Sequence, residues 1–195
     1  MGELKIFTGP MYGGKTTKLL SALERYVYQK KKVALFKPSI DDRYSVESVV
    51  THSGAEWQAY RVPDGYAILA SVPSDAEIVA VDKQFMIPDS AYALLELYAL
   101  GKTILVSTLQ LSYAASPFEE VTKLLPYATS IEICPAVCAH CDKDAYFTRR
   151  ISGGTEDIQV GGAEAYEPVC FDHYGELRAR IFGGYRATGK WQNKT

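Results

Sequence analysis

The stretch Gly9-Pro10-Met11-Tyr12-Gly13-Gly14-Lys15-Thr16-Thr17 restricts the fold of this chain more than any other. Glycine, four residues, then Gly-Lys-Thr is the spacing at which a loop turns successive backbone N–H groups inward on a phosphate. In that geometry Lys15 reaches the β- and γ-phosphates and the Thr16 hydroxyl reaches magnesium, while Gly9, Gly13, Gly14 and Thr17 complete the ATP-binding run. Such a loop belongs between a strand and a helix whose positive N-terminus faces the anion. Its flanks agree: residues 4–8 read as a short apolar strand, and residues 17–30 as a helix with Leu19, Leu20, Leu23 and Val27 on one stripe. The expected ligand is a nucleoside triphosphate with magnesium.

Residues 32–37 read as a buried second strand stopped by Pro38, followed by the polar loop Asp41-Asp-Arg43-Tyr-Ser45. Asp41 and Arg43 read as a solvated ion pair, or else Arg43 serves a ligand, because open α/β sheets place ligands beyond the carboxyl ends of their strands. His52 reads as a structural or solvated loop histidine. Residues 77–81 form an apolar run that ends in Asp82, the arrangement by which phosphate-loop enzymes hold magnesium through an aspartate; a plain turn cap is the alternative. Pro88-Asp89 opens a helix through Leu94, Leu95, Leu97 and Leu100 that Gly101 closes. Residues 102–107 read as a strand, 118–125 as a short helix and 130–133 as a last strand. Strands alternating with helices predict an α/β fold of the phosphate-loop NTPase kind, a parallel sheet with helices on both faces.

Past Cys134 the apolar runs give way to glycines, aromatics and charges. The expected division is a kinase-like unit over residues 1–135, a small zinc-binding unit over 136–175 and a basic tail over 176–195. Cys138-Ala-His-Cys141 and Cys170-Phe-Asp-His173, 28 residues apart, offer three thiolates and an imidazole, the ligand set of a closed tetrahedral and hence structural zinc site. His140 suits less well, since one short turn would have to supply three donors, and Cys134 reads as core. Residues 149–166 connect the two pairs as a long segment tied at both ends, a loop held in place to cover something. The tail carries Arg178, Arg180, Arg186, Lys190 and Lys194 against Glu176 and reads as solvated.

Composition narrows the partners. The net charge of −2 gives no general attraction to nucleic acid, so a zinc-ribbon nucleic-acid binder is disfavoured. No apolar run approaches the roughly 18 to 20 residues that span a bilayer. The first strand begins without a signal segment, which predicts a cytoplasmic protein, and a reducing compartment favours metal over disulfides for four cysteines.

In their order, these features resemble the cytosolic-type (type II) thymidine kinases of human, bacterial and phage kind over nearly the full length. The resemblance rests on residues 9–17, on Asp-Asp-Arg-Tyr-Ser at 41–45, on Ala-Val-Cys-x-x-Cys at 136–141, and on Val-Gly-Gly-Ala-Glu-x-Tyr at 160–166 leading to Cys170. It implies transfer of the ATP γ-phosphoryl group to the 5′-hydroxyl of thymidine or another deoxynucleoside, with magnesium, in a homotetramer. Lys15, Thr16 and Asp82 then serve phosphates and metal, Arg43 approaches the transferred group, and a lasso loop closes on the base. Met11, Leu109, Tyr113, Phe118, Val160, Gly161 and Tyr166 fall at the nucleoside; composition alone would make several of them core.

The chain departs from the family at 82–86. Where the family has Asp-Glu-[Ala/Gly]-Gln-Phe, its Glu being the general base, this chain has Asp82-Lys83-Gln84-Phe85-Met86. Without a gap Lys83 takes the Glu position, and a one-residue deletion that aligns Gln-Phe supplies no Glu either. A protonated lysine has no acceptor lone pair. The expectation is a slow thymidine kinase, with a catalytically inactive nucleotide-binding homologue or inactivated variant as the alternative. The Leu-Asp-x-x-Phe segment of the family is altered as well, to Leu109-Gln110-Leu-Ser-Tyr113.

Overall fold

A computed structural model describes residues 2–41, 48–50, 56–153 and 160–175; Arg43, His52 and the basic tail lie outside the described residues. Alternate side chains of the opening strand, β1 (Leu4–Thr8), enter two different cores. Leu4 and Ile6 belong to one and Phe7 to the other. On the Phe7 side lies α1 (Lys15–Tyr28), whose Leu19, Leu20 and Leu23 are buried, with Ala22 and Tyr26 partly so. Burial of each leucine side chain contributes about 1.5–3 kcal/mol. Val27 is exposed, against expectation, because the buried stripe runs through residues 19, 22, 23 and 26, the i, i+3, i+4, i+7 face.

Next come β2 (Val33–Pro38), the short antiparallel pair β3 (Ser48–Val50) and β4 (Glu56–Gln58), β5 (Tyr60–Val62) and α2 (Gly65–Ser71). They are followed by β6 (Ile78–Val81), α3 (Ser90–Ala99), β7 (Thr103–Ser107), α4 (Glu119–Leu124) and β8 (Ser130–Ile133). Six strands form one sheet in the order β5-β2-β6-β7-β1-β8, every neighbouring pair parallel. Parallel neighbours require crossovers, and these put helices on both faces. Ile68 of α2, Ala91, Leu94 and Leu97 of α3 and Leu124 of α4 pack on the face opposite α1, against Ala34, Phe36, Val79, Val81, Ile104 and Val106. With both faces covered, all four residues of β6 are buried without polar alternation.

The helix ends follow local chemistry. Gly14, at φ 73, places the start of α1 at Lys15, two residues earlier than its apolar pattern suggests, and no side chain caps it. Its first N–H groups thus remain available to an anion. Asp64 caps α2 by accepting from the Ala67 N–H at 2.8 Å. Gly101, at φ 86, closes α3 with N–H bonds from Gly101 to Tyr98 and from Lys102 to Leu97, and leaves Leu100 exposed.

The chain does not stop making strands at β8, as its sequence suggests. β9 (Ala136–Val137) pairs with β10 (Asp144–Ala145), and β11 (Phe147–Arg150) with β12 (Tyr166–Val169), both antiparallel. These hairpins share a separate core of Ala115, Ala136, Cys138, Ala145, Val169, Cys170 and Tyr174. Tyr174 is fully buried; its hydroxyl reaches the carbonyls of Ser112 at 3.2 Å and Tyr113 at 2.8 Å. The Met11 N–H donates to Thr148 Oγ1 at 3.0 Å. The hairpins are thereby fastened both to the segment after β7 and to the phosphate loop. Among the described residues no helix is long and apolar enough to cross a membrane.

Candidate active site and metal centre

The residues expected to act on phosphate sit at the carboxyl edge of the sheet, where β1 runs into the glycine loop and β6 into Asp82. Gly9 has φ 139, and a Cβ on it, as on Gly13, would overlap the carbonyl oxygen of Cys134 just past β8. We expect Gly9→Ala to lose about 2 kcal/mol or more of unfolding free energy, since both the dihedral and the backbone contact resist a side chain. Denaturant titration checks this; unchanged stability would mean that the loop does not rest on Cys134.

Thr16 Oγ1 donates to Asp82 Oδ1 at 2.8 Å, and Asp82 is 1% exposed. The Lys15 ammonium donates to the Pro10 carbonyl inside its own loop. Burial lowers the Lys15 pKa to about 8, with the Asp82 carboxylate acting in the opposite direction. Lys15 and Thr16, neighbours in the loop, are thereby brought beside Asp82, 66 positions further along the chain. Lys15→Ala should weaken ATP binding at least about tenfold, the worth of one charge-assisted contact, with the fold intact. Calorimetric titration reads the difference, and equal affinities would reduce the loop to a turn.

Lys83 follows Asp82 in the left-handed region, at φ 55. This conformation is uncommon outside glycine, and such departures gather at functional sites. The Lys83 ammonium pairs with the Asp41 carboxylate and lies 3.9 Å from Asp82 Oδ2. Asp41 is 4% exposed, so its ion pair with Lys83 is largely withdrawn from solvent. Lys37, at the end of β2, is buried among the same charges; burial lowers its pKa, while Asp41 raises it. After Lys83 a 3-10 turn, Gln84–Met86, is held by the wholly buried Gln84. Its Nε2 donates to Ser90 Oγ at 2.9 Å and its Oε1 accepts from Thr108 Oγ1 at 3.2 Å. The turn fixes the direction in which Lys83 leaves β6.

Tyr113 and Tyr166, both expected at the nucleoside, are joined by Arg150 of β11. The guanidinium lies 3.8 Å from the Tyr113 ring centroid, close enough for cation–π attraction, and Nη2 donates to the Tyr166 hydroxyl at 2.8 Å. Tyr113, Ala114, Arg150, Ile151, Ser152 and Gly153 line a cleft of about 440 Å³. Phe118 packs on Phe85, ring centroids 4.6 Å apart, and Met11 is bonded to β11 through Thr148. Leu109 and Val160 are half-buried and Gly161 is buried; among the described residues none of the three lines that cleft. Gln110 accepts from Thr8 Oγ1 at 2.7 Å, bridging β1 and the segment after β7. Asp41, Gln84 and Arg150 carry no role that the sequence predicts. For Gln84, which follows the charged pair Asp82-Lys83, the Gln-Phe of the family pattern is the available sign; only the folded pairing reveals the other two.

The donor atoms of Cys138, Cys141, Cys170 and His173 all lie within 4.8 Å of one another. His173 Nδ1 is 3.5, 3.7 and 3.3 Å from the sulfurs of Cys138, Cys141 and Cys170, and Cys141 Sγ is 3.8 Å from Cys170 Sγ. Zinc–sulfur bonds of about 2.3 Å and zinc–nitrogen bonds of about 2.0–2.1 Å in a tetrahedron require edges of about 3.8 and 3.6 Å. The set fits. Burial opposes ionisation of the Cys138 thiol, but N–H donation from Cys170 and His140 and neighbouring side chains bring its pKa down to about 6, which favours the thiolate form. His140 turns elsewhere, its Nε2 3.0 Å from Glu167 Oε1 and 2.6 Å from an Arg149 nitrogen. Arg149 also reaches the His173 carbonyl at 3.4 Å, which steadies that ligand. All four cysteines are free, and Cys134 lies in the α1-side core as expected.

The family model described as "Thymidine kinase" matches residues 2–174. A "Thymidine kinase" of Pyrobaculum aerophilum is 36% identical over 181 residues, 88% of this chain and 97% of its own. A "Thymidine kinase" of Thermococcus kodakarensis is 37% identical over 185 residues, 89% of this chain and 94% of its own.

Proposed function

The chain belongs to the thymidine kinase family and is a phosphotransferase, and from that premise we propose that it transfers the γ-phosphoryl group of ATP to the 5′-hydroxyl of thymidine. The observation that carries the reading is the meeting of Lys15, Thr16 and Asp82 at the carboxyl edge of the parallel sheet. Transfer of this group depends mostly on positioning and charge neutralisation. The loop amides from Gly9 to Thr17 cradle the phosphates, with Lys15 against the β and γ groups. Thr16 and Asp82 would hold magnesium, which would neutralise phosphate charge. Arg43 approaches the transferred group. Met11, Leu109, Tyr113, Phe118, Val160, Gly161 and Tyr166 surround the nucleoside, and residues 136–175 act as a lasso domain that Cys138, Cys141, Cys170 and His173 fasten around structural zinc. A homotetramer in the cytoplasm completes the proposal; its free thiols suit a reducing compartment.

Lys83 stands where the family's general base stands, so turnover is slow: loss of a general base costs about 10² to 10⁴ in rate. A second reading, an inactive nucleotide-binding homologue, draws on the same residue, because its ammonium is engaged by Asp41 and accepts no proton. The test is incubation with γ-labelled ATP, magnesium and a mixture of the four deoxynucleosides. Label should appear foremost in thymidine monophosphate; label confined to another nucleotide, or to none, would overturn the proposal.

A further inference from the structure

The ammonium at position 83 is one end of a short chain of charged groups. Thr16 is bonded to one oxygen of Asp82, Lys83 faces the other at 3.9 Å, and Lys83 is paired in turn with Asp41. One ammonium thus separates the Asp41 carboxylate from Asp82, and Asp41 comes from the polar turn beyond β2, next to β6 in the sheet. Its amide is held by the Pro38 carbonyl at 3.3 Å, and the residue is 4% exposed. An alcohol that attacks a γ-phosphate held by Lys15 and by a metal on Thr16 and Asp82 must enter beside this chain.

We propose that Asp41 is the proton acceptor for the attacking 5′-hydroxyl, and that Lys83 is the positioning residue that holds it there. This inference rests on the kinase reading above. In the step, the 5′-oxygen forms a bond to the γ-phosphorus as the bond from that phosphorus to the bridging oxygen of ADP breaks. The hydroxyl proton passes to a carboxylate oxygen of Asp41, ADP leaves with the electron pair of the broken bond, and the Asp41 acid then returns its proton to water. No other reactant is needed. A carboxylate engaged by an ammonium is a weaker acceptor than a free one, so the pair supports slow transfer where an unpaired acid would support fast transfer.

Four proteins test the inference with thymidine and saturating magnesium–ATP: wild type, Asp41→Asn, Lys83→Glu and the double variant. In the wild-type background Asp41→Asn should lower kcat by about 10² with little change in the KM for ATP. In the Lys83→Glu background, where the introduced carboxylate supplies an acceptor, it should cost less than about threefold. A residue needed only for folding would cost the same in both. Equal losses in the two backgrounds, an Asp41→Asn enzyme as fast as wild type, or turnover by Lys83→Glu but none by wild type would each overturn the role of Asp41 and leave the kinase reading standing. No thymidine phosphorylation by any of the four would overturn that reading and this one together.

Discussion

Lys83→Glu is expected to raise kcat for thymidine phosphorylation by about 10² or more, the contribution of a competent general base. The substitution removes a cation that both lacks an acceptor lone pair and occupies the neighbouring carboxylate of Asp41. It also puts a third acid beside Asp41 and Asp82, and crowded carboxylates share charge reluctantly, which makes one of them a ready proton acceptor. The left-handed backbone at position 83 and the Gln84 bonds to Ser90 and Thr108 hold the direction of the side chain whichever residue is present. ATP affinity should change much less, because Lys15 and the loop amides are untouched. Steady-state rates under identical magnesium and nucleoside give the comparison. Rapid wild-type turnover that falls on introducing glutamate would mean that lysine itself serves the reaction.

Removal of the metal should have the other large effect. Purified protein should hold one zinc ion per chain, and Cys170→Ser should lose it along with the fold of residues 136–175. Among the described residues the hairpin core holds seven that are buried, including Cys138 and Cys170 themselves, too few to order such a segment unaided. Structural zinc supplies about 10–16 kcal/mol of apparent binding free energy in small modules. The consequence should be selective. Tyr174 joins the hairpins to Ser112 and Tyr113, and Arg150 joins Tyr113 to Tyr166, so losing zinc should raise the KM for thymidine far more than that for ATP. Elemental analysis after purification without added metal, followed by kinetics of the variant, checks both parts. A metal-free but fully folded protein, or a Cys170→Ser variant with full zinc, would contradict the assignment.

The parts of this protein legible in its sequence are those whose chemistry is local. The glycine loop, the apolar runs of β1, β2, β6 and β7, and the paired cysteines carry their meaning in consecutive residues or fixed spacings. β5 and α2 are not legible, because three residues centred on Arg61 and a helix opening on Gly65 give neither a hydrophobic period nor the usual propensity. Val27 reads as buried but is exposed, because apolar character marks a stripe but not which of its edges the sheet covers. Asp41 was the harder case. Its neighbours in sequence are polar, which suggests solvent, whereas its partner is 42 positions away across the β2–β6 pairing. Position 83 shows the converse: a mismatch with a family pattern can be read from sequence, but the residue engaged by the substituted side chain appears only in the fold.

Single-turnover transfer, with enzyme in excess of thymidine and saturating labelled ATP and magnesium, separates a slow kinase from a protein that only binds nucleotide, because a low kcat then lengthens the reaction without hiding its product. The expected result is first-order conversion of the thymidine to its 5′-monophosphate, slow in wild type and about 10² faster in Lys83→Glu. ATP bound at its site with no monophosphate formed by either protein would contradict it.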